Sequence, residues 1–229
     1  MNLTQWLGQL NFDRVWMLLL TVASCLLCIT LHECCHGLAA WAMGDPTAKR
    51  EGRLTLNPLK HIDPFGLVML IVVRFGWAKP VPVDLRRFRN PRLGMALTAL
   101  AGPLGNVVLT AVAMTLQGVC YFYRVYYDSV LWSYGELFCA YTAILSAGLA
   151  MFNLLPVPPL DGSKILFAVL PPKWYLLLMR YERLGMILMM VLLLTGVLDL
   201  PLLLMRDGLM QLLRPMCRWP LGLLNRVYF

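Results

Sequence analysis

Long apolar runs alternate with shorter polar segments along the chain and predict its main helices. The four runs cover residues 15–31, 93–123, 137–160 and 184–205. At about 1.5 Å per helical residue, each run crosses, or nearly crosses, the roughly 30 Å of hydrocarbon in a bilayer. Prolines close the third run, so its helix is expected to stop near Asn153, and Asp199 and Pro201 interrupt the fourth. The pattern predicts an all-α polytopic membrane protein with about four transmembrane helices.

The segment between the first two runs has a different pattern. Residues 53–56 alternate at the period of a strand, and residues 76–83 contain Pro80 and Pro82, which permit only an edge or extended strand. Residues 64–73 are apolar but too short to span, and basic residues flank them on both sides. A re-entrant or interfacial segment fits such a sequence better than a crossing. We therefore predict a small cytoplasm-facing β region and one segment that enters the membrane without spanning it.

Composition and charge support the membrane interpretation. Hydrophobic residues make up 59% of the 229 residues and charged residues only 14%, against about 25% charged in soluble domains. The net charge of +8 does not indicate nucleic-acid binding, because the basic residues lie between apolar runs. Ten of the 20 Lys and Arg lie in residues 44–92, so this loop is expected in the cytoplasm and the N-terminus outside. The side of the C-terminal tail, which has its own arginines, stays open.

The end of the first run carries the chemistry. His32 and His36 are one helical turn apart, so at about 100° per residue both imidazoles lie on one face, where they suit a zinc ion. Glu33 is close to that face and is the natural general base for a metal-activated water. Cys34 and Cys35 could suggest a thiolate site, but Cys34 projects to the opposite face, and packing is the better interpretation of both.

A catalytic zinc usually has three protein ligands, so one ligand must come from elsewhere. Asp161 is the best candidate, because it ends a proline-rich segment that follows the third run and can stay non-helical only around a buried or wet cavity. Its structural alternative is an N-cap of the next helix. Glu51 and His61 remain weaker candidates, Glu51 because turn signals surround it and His61 because it fits a loop histidine near the site.

The second run is broken by Gly102 and Pro103 and contains Asn106. An unpaired amide is unfavourable at this depth. Asn106 either bonds to substrate backbone or the developing oxyanion, or makes an interhelical hydrogen bond, and the sequence leaves both roles open.

These motifs resemble the site-2 protease family of intramembrane zinc metalloproteases. The resemblance rests on His32-Glu33-Cys34-Cys35-His36, on residues 102–106 and on residues 153–162, and residues 52–64 and 76–83 look like the compact bacterial branch without a PDZ or nucleotide-sensing domain. It implies one Zn²⁺ bound by His32, His36 and Asp161, water activated with Glu33 as general base, and Asn106 assisting.

The resemblance covers about residues 15–170 and implies a three-helix catalytic core. From the sequence itself we expect a single membrane-embedded domain, residues 1–229, with a C-terminal span and tail from about residue 171. The expected activity is an intramembrane metalloendopeptidase in a bacterial cell membrane, active toward the cytoplasm. Its partners are the lipid bilayer and transmembrane protein substrates, which must unwind locally, and the extended stretches around Leu54 and Val81 could receive them as an added strand. A non-catalytic helix-binding protein and a zinc transporter are the alternatives.

Overall fold

Helices account for nearly all regular structure in the computed structural model, which describes residues 12–66, 78–171 and 182–228. Among these residues, six helices of nine residues or more are numbered here in chain order. They are α1 (Phe12–Ala42), α2 (Pro91–Tyr127), α3 (Val130–Asn153), α4 (Asp161–Val169), α5 (Glu182–Leu194) and α6 (Asp199–Tyr228). The loop between α1 and α2 contains three single helical turns, at Thr47–Arg50, Pro58–Lys60 and Leu85–Arg87.

The first three predicted runs form helices that are long and apolar enough to span a membrane: Arg14–Ala42, Pro91–Tyr127 and Val130–Asn153. The third ends at Asn153, as predicted, since the prolines that follow cannot continue a helix. The fourth run is bent by 86° between Leu184–Leu194 and Asp199–Leu224, so the described residues contain three candidate spans, or four if the bent pair counts as one.

Helix α2 lies at the centre of the bundle. It begins where the Asn90 side chain accepts a hydrogen bond from the Leu93 backbone N–H at 3.2 Å, with Pro91 in the first turn. It packs against α1, α3, α4 and α6. Helices α1 and α3 lie side by side and run in the same direction, because Ser24 donates to the Phe138 carbonyl and Cys28, one turn further on, donates to the Thr142 carbonyl, also one turn further on. The motifs that carry His32, Asn106 and Asp161 therefore lie on α2 or on a helix that packs against it.

The two ends of the bundle differ in composition. Aromatic rings gather where α1 begins, α2 ends and α3 begins, with Trp16 and Tyr134 at 6.3 Å and Tyr123 and Trp132 at 4.9 Å between ring centroids. Tyrosine and tryptophan favour membrane–water interfaces. The other end holds the basic loop and the motif histidines.

The predicted small β region is wrong for the described residues. Residues 53–56 form no strand, and the β pairing among the described residues is one isolated antiparallel bridge between Ile62 and Ala78, where the Lys79 N–H donates to the His61 carbonyl at 2.8 Å. Prolines explain the difference, because they remove the N–H groups that a longer ladder requires. Most of the predicted re-entrant segment, residues 67–73, lies outside the described residues.

A buried carboxylate joins the two ends of this loop. Asp45 accepts hydrogen bonds from the Thr47 N–H at 3.0 Å and from the Asp84 N–H at 2.7 Å, and Arg87 lies 3.7 Å away. Burial acts to raise the pKa of Asp45, but these hydrogen bonds and the guanidinium outweigh it and hold the pKa below its ordinary value. Asp45 therefore fixes the start of the loop against its end.

Candidate metal centre and active site

The two motif histidines lie on one face of α1, as the spacing predicted. Their ring centroids are 4.5 Å apart with the planes at 89°, and their Nε2 atoms are 3.0 Å apart. Both residues are buried, with 5% of His32 and 9% of His36 exposed. Two imidazole nitrogens therefore face one point inside the bundle.

Asp161 provides the third donor atom at that point. It is the first residue of α4, and its Oδ2 lies 3.1 Å from Nε2 of His32 and 3.0 Å from Nε2 of His36. Leu160 occupies the N-cap position instead, so the carboxylate is turned toward the imidazoles and does not cap the helix. The chain brings together residues 125 positions apart, His36 and Asp161.

These three donors fit a zinc ion. His32, His36 and Asp161 form the group of metal-ligand side chains found among the described residues. Donor atoms about 2.0–2.1 Å from a tetrahedral zinc lie roughly 3.3–3.4 Å from each other, close to the observed triangle. Two imidazoles and one carboxylate are also the donor types of catalytic zinc sites, which keep one position open.

The second polar atom of each donor residue also has a partner. His36 donates from Nδ1 to the Thr98 carbonyl at 2.7 Å, and the Asn106 amide lies 3.3 Å from Nδ1 of His32. Lys164, one turn along α4, donates to Oδ1 of Asp161 at 3.1 Å. Such contacts fix the orientation of metal ligands. Because His36 carries its proton on Nδ1, where it donates to Thr98, the lone pair of its Nε2 is free for the metal.

Gly102 allows α2 to approach the two imidazoles. A Cβ atom at this position would lie 2.8 Å from Cε1 of His32, and it would also overlap the ring of His36. The sequence suggested that Gly102 breaks the helix. In the structure, its missing side chain also leaves the space that the two imidazole rings occupy.

Comparison with known proteins decides the family of this chain. The family model described as "Peptidase family M50" matches residues 20–196, which include every residue of the metal cluster. The chain belongs to peptidase family M50. This confirms the resemblance to site-2 proteases, and the chain is a zinc metalloprotease with Zn²⁺ as its cofactor.

Curated relatives agree with the family. Over 174 residues the protease is 38% identical to "Putative zinc metalloprotease YwhC" of Bacillus subtilis (strain 168), an alignment that covers 76% of this chain and 80% of the relative. It is 32% identical over 192 residues to "Putative zinc metalloprotease Rip2" of Mycolicibacterium smegmatis (strain ATCC 700084 / mc(2)155). That alignment covers 81% of this chain and 70% of the relative. The Rip2 of Mycobacterium tuberculosis (strain ATCC 25618 / H37Rv) is 30% identical over 187 residues, covering 79% and 68%. No solved structure matches significantly.

The catalytic candidate of the M50 protease, Glu33, is half-buried next to the metal cluster and has a partner from the loop. Its Oε2 accepts a hydrogen bond from the Val81 backbone N–H at 3.0 Å. No sequence pattern predicts this contact, because Val81 acts through its backbone and lies 48 positions away. The Val81 N–H is therefore already engaged, which weighs against its use by an added substrate strand.

The remaining candidates lie outside the metal cluster. The Cys34 thiol donates to the Thr55 carbonyl at 3.1 Å and is 3.9 Å from Nε2 of His61, whereas Cys35 packs against Gly105. His61 is buried with its Nε2 2.9 Å from the Thr55 carbonyl. Glu51 is exposed in a turn and is not a member of the cluster. Packing is thus the interpretation that fits both cysteines.

Proposed function

We propose that this M50 zinc metalloprotease is an intramembrane endopeptidase that hydrolyses peptide bonds in or near the transmembrane segments of other membrane proteins. The observation that carries the proposal is the position of the cluster. Two of its three donors lie on a candidate membrane span, next to a carboxylate that is not a donor. Polar groups at such a depth are unfavourable unless they serve a function.

The proposed ligands are His32, His36 and Asp161, each with one donor atom in the triangle. When bound, zinc supplies Lewis-acid chemistry, polarising the scissile carbonyl and making water more acidic. Glu33 takes the proton from the attacking water and returns it to the leaving amine. Its Oε2 is held by Val81, and its Oε1 has no hydrogen-bond partner among the described residues, so Oε1 is the oxygen that exchanges the proton.

We propose that Asn106 assists the active site by holding His32. It is fully buried, which weighs against direct contact with substrate or the oxyanion, and its Oδ1 has no partner among the described residues. The two ends of an amide have nearly the same shape, so the same space accepts the group turned by 180°. With the oxygen toward His32, Nδ1 would donate to it, and the Nε2 lone pair would be free for zinc.

The bundle supports an active site that faces the cytoplasm, in a single membrane-embedded domain of a bacterial cell. Basic residues dominate the loop at the metal end, and aromatic rings mark the other end. In this orientation the N-terminus is outside, the partners are the bilayer and membrane-spanning substrates, and nucleic acid has no role.

The test is cleavage of membrane-spanning peptides by the full-length protein in detergent, together with its zinc content. Glu33→Gln keeps the shape of the side chain but not its basicity, so we expect one zinc per chain to be retained and turnover to fall about 10²–10⁴-fold. Unchanged turnover in Glu33→Gln would refute the general-base role. Failure of the wild type to cleave any peptide of a broad panel would instead refute membrane-spanning segments as its substrates.

A further inference from the structure

Arg53 is a buried cation without a carboxylate partner among the described residues. It is 7% exposed, and its guanidinium donates to three backbone carbonyls, those of Lys60, Lys79 at 2.9 Å and Pro80 at 3.1 Å. A buried charge requires compensation, and here carbonyl dipoles provide it. All three acceptors belong to the loop between α1 and α2, so the guanidinium holds two stretches of that loop together.

One of these carbonyls belongs to the peptide unit that holds Glu33. The Pro80 carbonyl and the Val81 N–H are the two polar ends of a single planar group. Arg53 donates to the oxygen, and the N–H donates to Oε2 of Glu33 at 3.0 Å. A cation at the oxygen polarises the peptide and strengthens the donation from its N–H. The peptide thus connects the guanidinium to the candidate base.

The sequence around Val81 concentrates this effect on one donor. Pro80 and Pro82 have no N–H, so Val81 provides the only backbone donor of the three residues. The Val81 side chain is 8% exposed and lies over Gly37, one helical turn beyond Glu33, where an added Cβ would be 3.2 Å from Cγ1 of Val81. The Val81 side chain therefore packs on α1 beside the contact, while the contact to the carboxylate itself is made by the backbone N–H.

We propose that Arg53 is a positioning residue for the reaction, acting through the Pro80–Val81 peptide to orient the Glu33 carboxylate. The inference rests on the proposed role of Glu33 as general base. Because His32, His36 and Asp161 have their own partners, Arg53 is not needed for zinc binding. Its loss should reduce catalysis in the zinc-loaded enzyme without reducing the zinc content.

The first test compares Arg53→Gln and Arg53→Lys in the full-length protease, measuring kcat, KM, zinc content and the midpoint of thermal unfolding. We expect Arg53→Gln to lower kcat by roughly tenfold or more, a part of the 10²–10⁴-fold that a general base supplies, with KM and zinc content unchanged. Arg53→Lys keeps the charge and should recover part of kcat. An unchanged kcat in Arg53→Gln, or a loss proportional to lost zinc, would overturn the proposal.

A second pair tests the peptide itself and does not depend on how the Arg53 variants fold. Val81→Pro removes the N–H in a segment that prolines already flank, whereas Val81→Ala keeps the N–H and removes most of the side chain. We expect a kcat loss of roughly tenfold in the first and less than twofold in the second. Equal losses in both would refute the inference and indicate packing alone.

The combined variant Arg53→Gln/Val81→Pro tests whether Arg53 and the Val81 N–H affect Glu33 through the same peptide or independently. Residues that act through one peptide give effects that do not add, so its kcat should equal that of the more impaired single variant. Additive losses would overturn the route through the peptide. The proposed function fails separately, if Glu33→Gln keeps its turnover, whatever the Arg53 variants do.

Discussion

The metal cluster and the candidate base are neighbours in sequence, but the protein holds them in different ways. His32 and His36 are fixed by packed helices, through the Thr98 carbonyl and the Asn106 amide of α2, and Asp161 begins a further helix. Glu33, between them on α1, takes its hydrogen bond from a proline-flanked loop. Metal binding and orientation of the base are therefore separable, and substitutions on one side should leave the other intact.

The largest effect is expected from loss of the distant ligand. Asp161→Asn keeps the volume of the side chain but removes the negative charge and weakens the donor, so zinc affinity should fall by more than the roughly 10–100-fold that follows loss of a ligand's partner. Cleavage should disappear with the metal. Zinc content after dialysis against a graded chelator measures the effect.

Lys164→Gln is the matched control for this prediction. The Lys164 side chain is about half exposed, and among the described residues its ammonium pairs with the other oxygen of Asp161 and not with Oδ2, so the zinc affinity should change much less. Full zinc retention in Asp161→Asn would remove Asp161 from the proposed ligands.

Gly102→Ala should have the next largest effect on the metal. The added methyl group overlaps both imidazoles, so either α2 moves away or the rings rotate off the donor triangle. We expect weaker zinc binding and reduced turnover at full zinc. Gly148→Ala on α3 is the control, since nothing lies within 4 Å of its Cβ position. If both variants bind zinc like the wild type, the close approach at Gly102 is not required.

The partner of His32 should matter less than a ligand. Asn106→Ala removes the amide next to Nδ1, and zinc affinity should fall about 10–100-fold, the range seen for such contacts. Asn106→Asp restores an acceptor for Nδ1–H and should recover part of that affinity in a competition titration. If Asn106→Ala instead lowers kcat at unchanged affinity, the amide acts on substrate, the alternative that the sequence left open.

The features that could be predicted from the sequence are those that follow from local periodicity. Apolar runs predicted the first three helices and the end of α3 at Asn153, and one-turn spacing predicted the shared face of His32 and His36, because both follow from local periodicity. Lys164 could have been found in the same way, three residues after Asp161 on one helix.

Contacts through the backbone carry no such signal. The Thr98 carbonyl and the Val81 N–H would be present with almost any side chain at those positions. The β region was predicted from the alternation of residues 53–56 and the extended segment 76–83, and neither pattern reveals that the Arg53 guanidinium donates to carbonyl oxygens of the loop. The sequence thus indicates which side chains come together more readily than it indicates the backbone groups that hold them.

The smallest effect concerns the stability of the loop that supplies Val81, and it depends on pH. Asp45 is fully buried with backbone donors at both ends of the loop, so Asp45→Asn should lower the free energy of unfolding by about 1–3 kcal/mol near neutral pH. Because the folded-state pKa of Asp45 is lowered, its contribution is complete above its unfolded pKa of about 3.9 and is lost as the pH falls through the folded value.

Unfolding midpoints of the wild type and Asp45→Asn in detergent should therefore differ most at neutral pH and converge in acid below about pH 4. Glu51→Gln, an exposed carboxylate of the same loop, should match the wild type throughout. A difference that grows as the pH falls would contradict the lowered pKa. Zinc content should stay unchanged in Asp45→Asn while kcat falls slightly, since a loosened loop presents the Val81 N–H less well to Glu33 but leaves the helices around the metal in place.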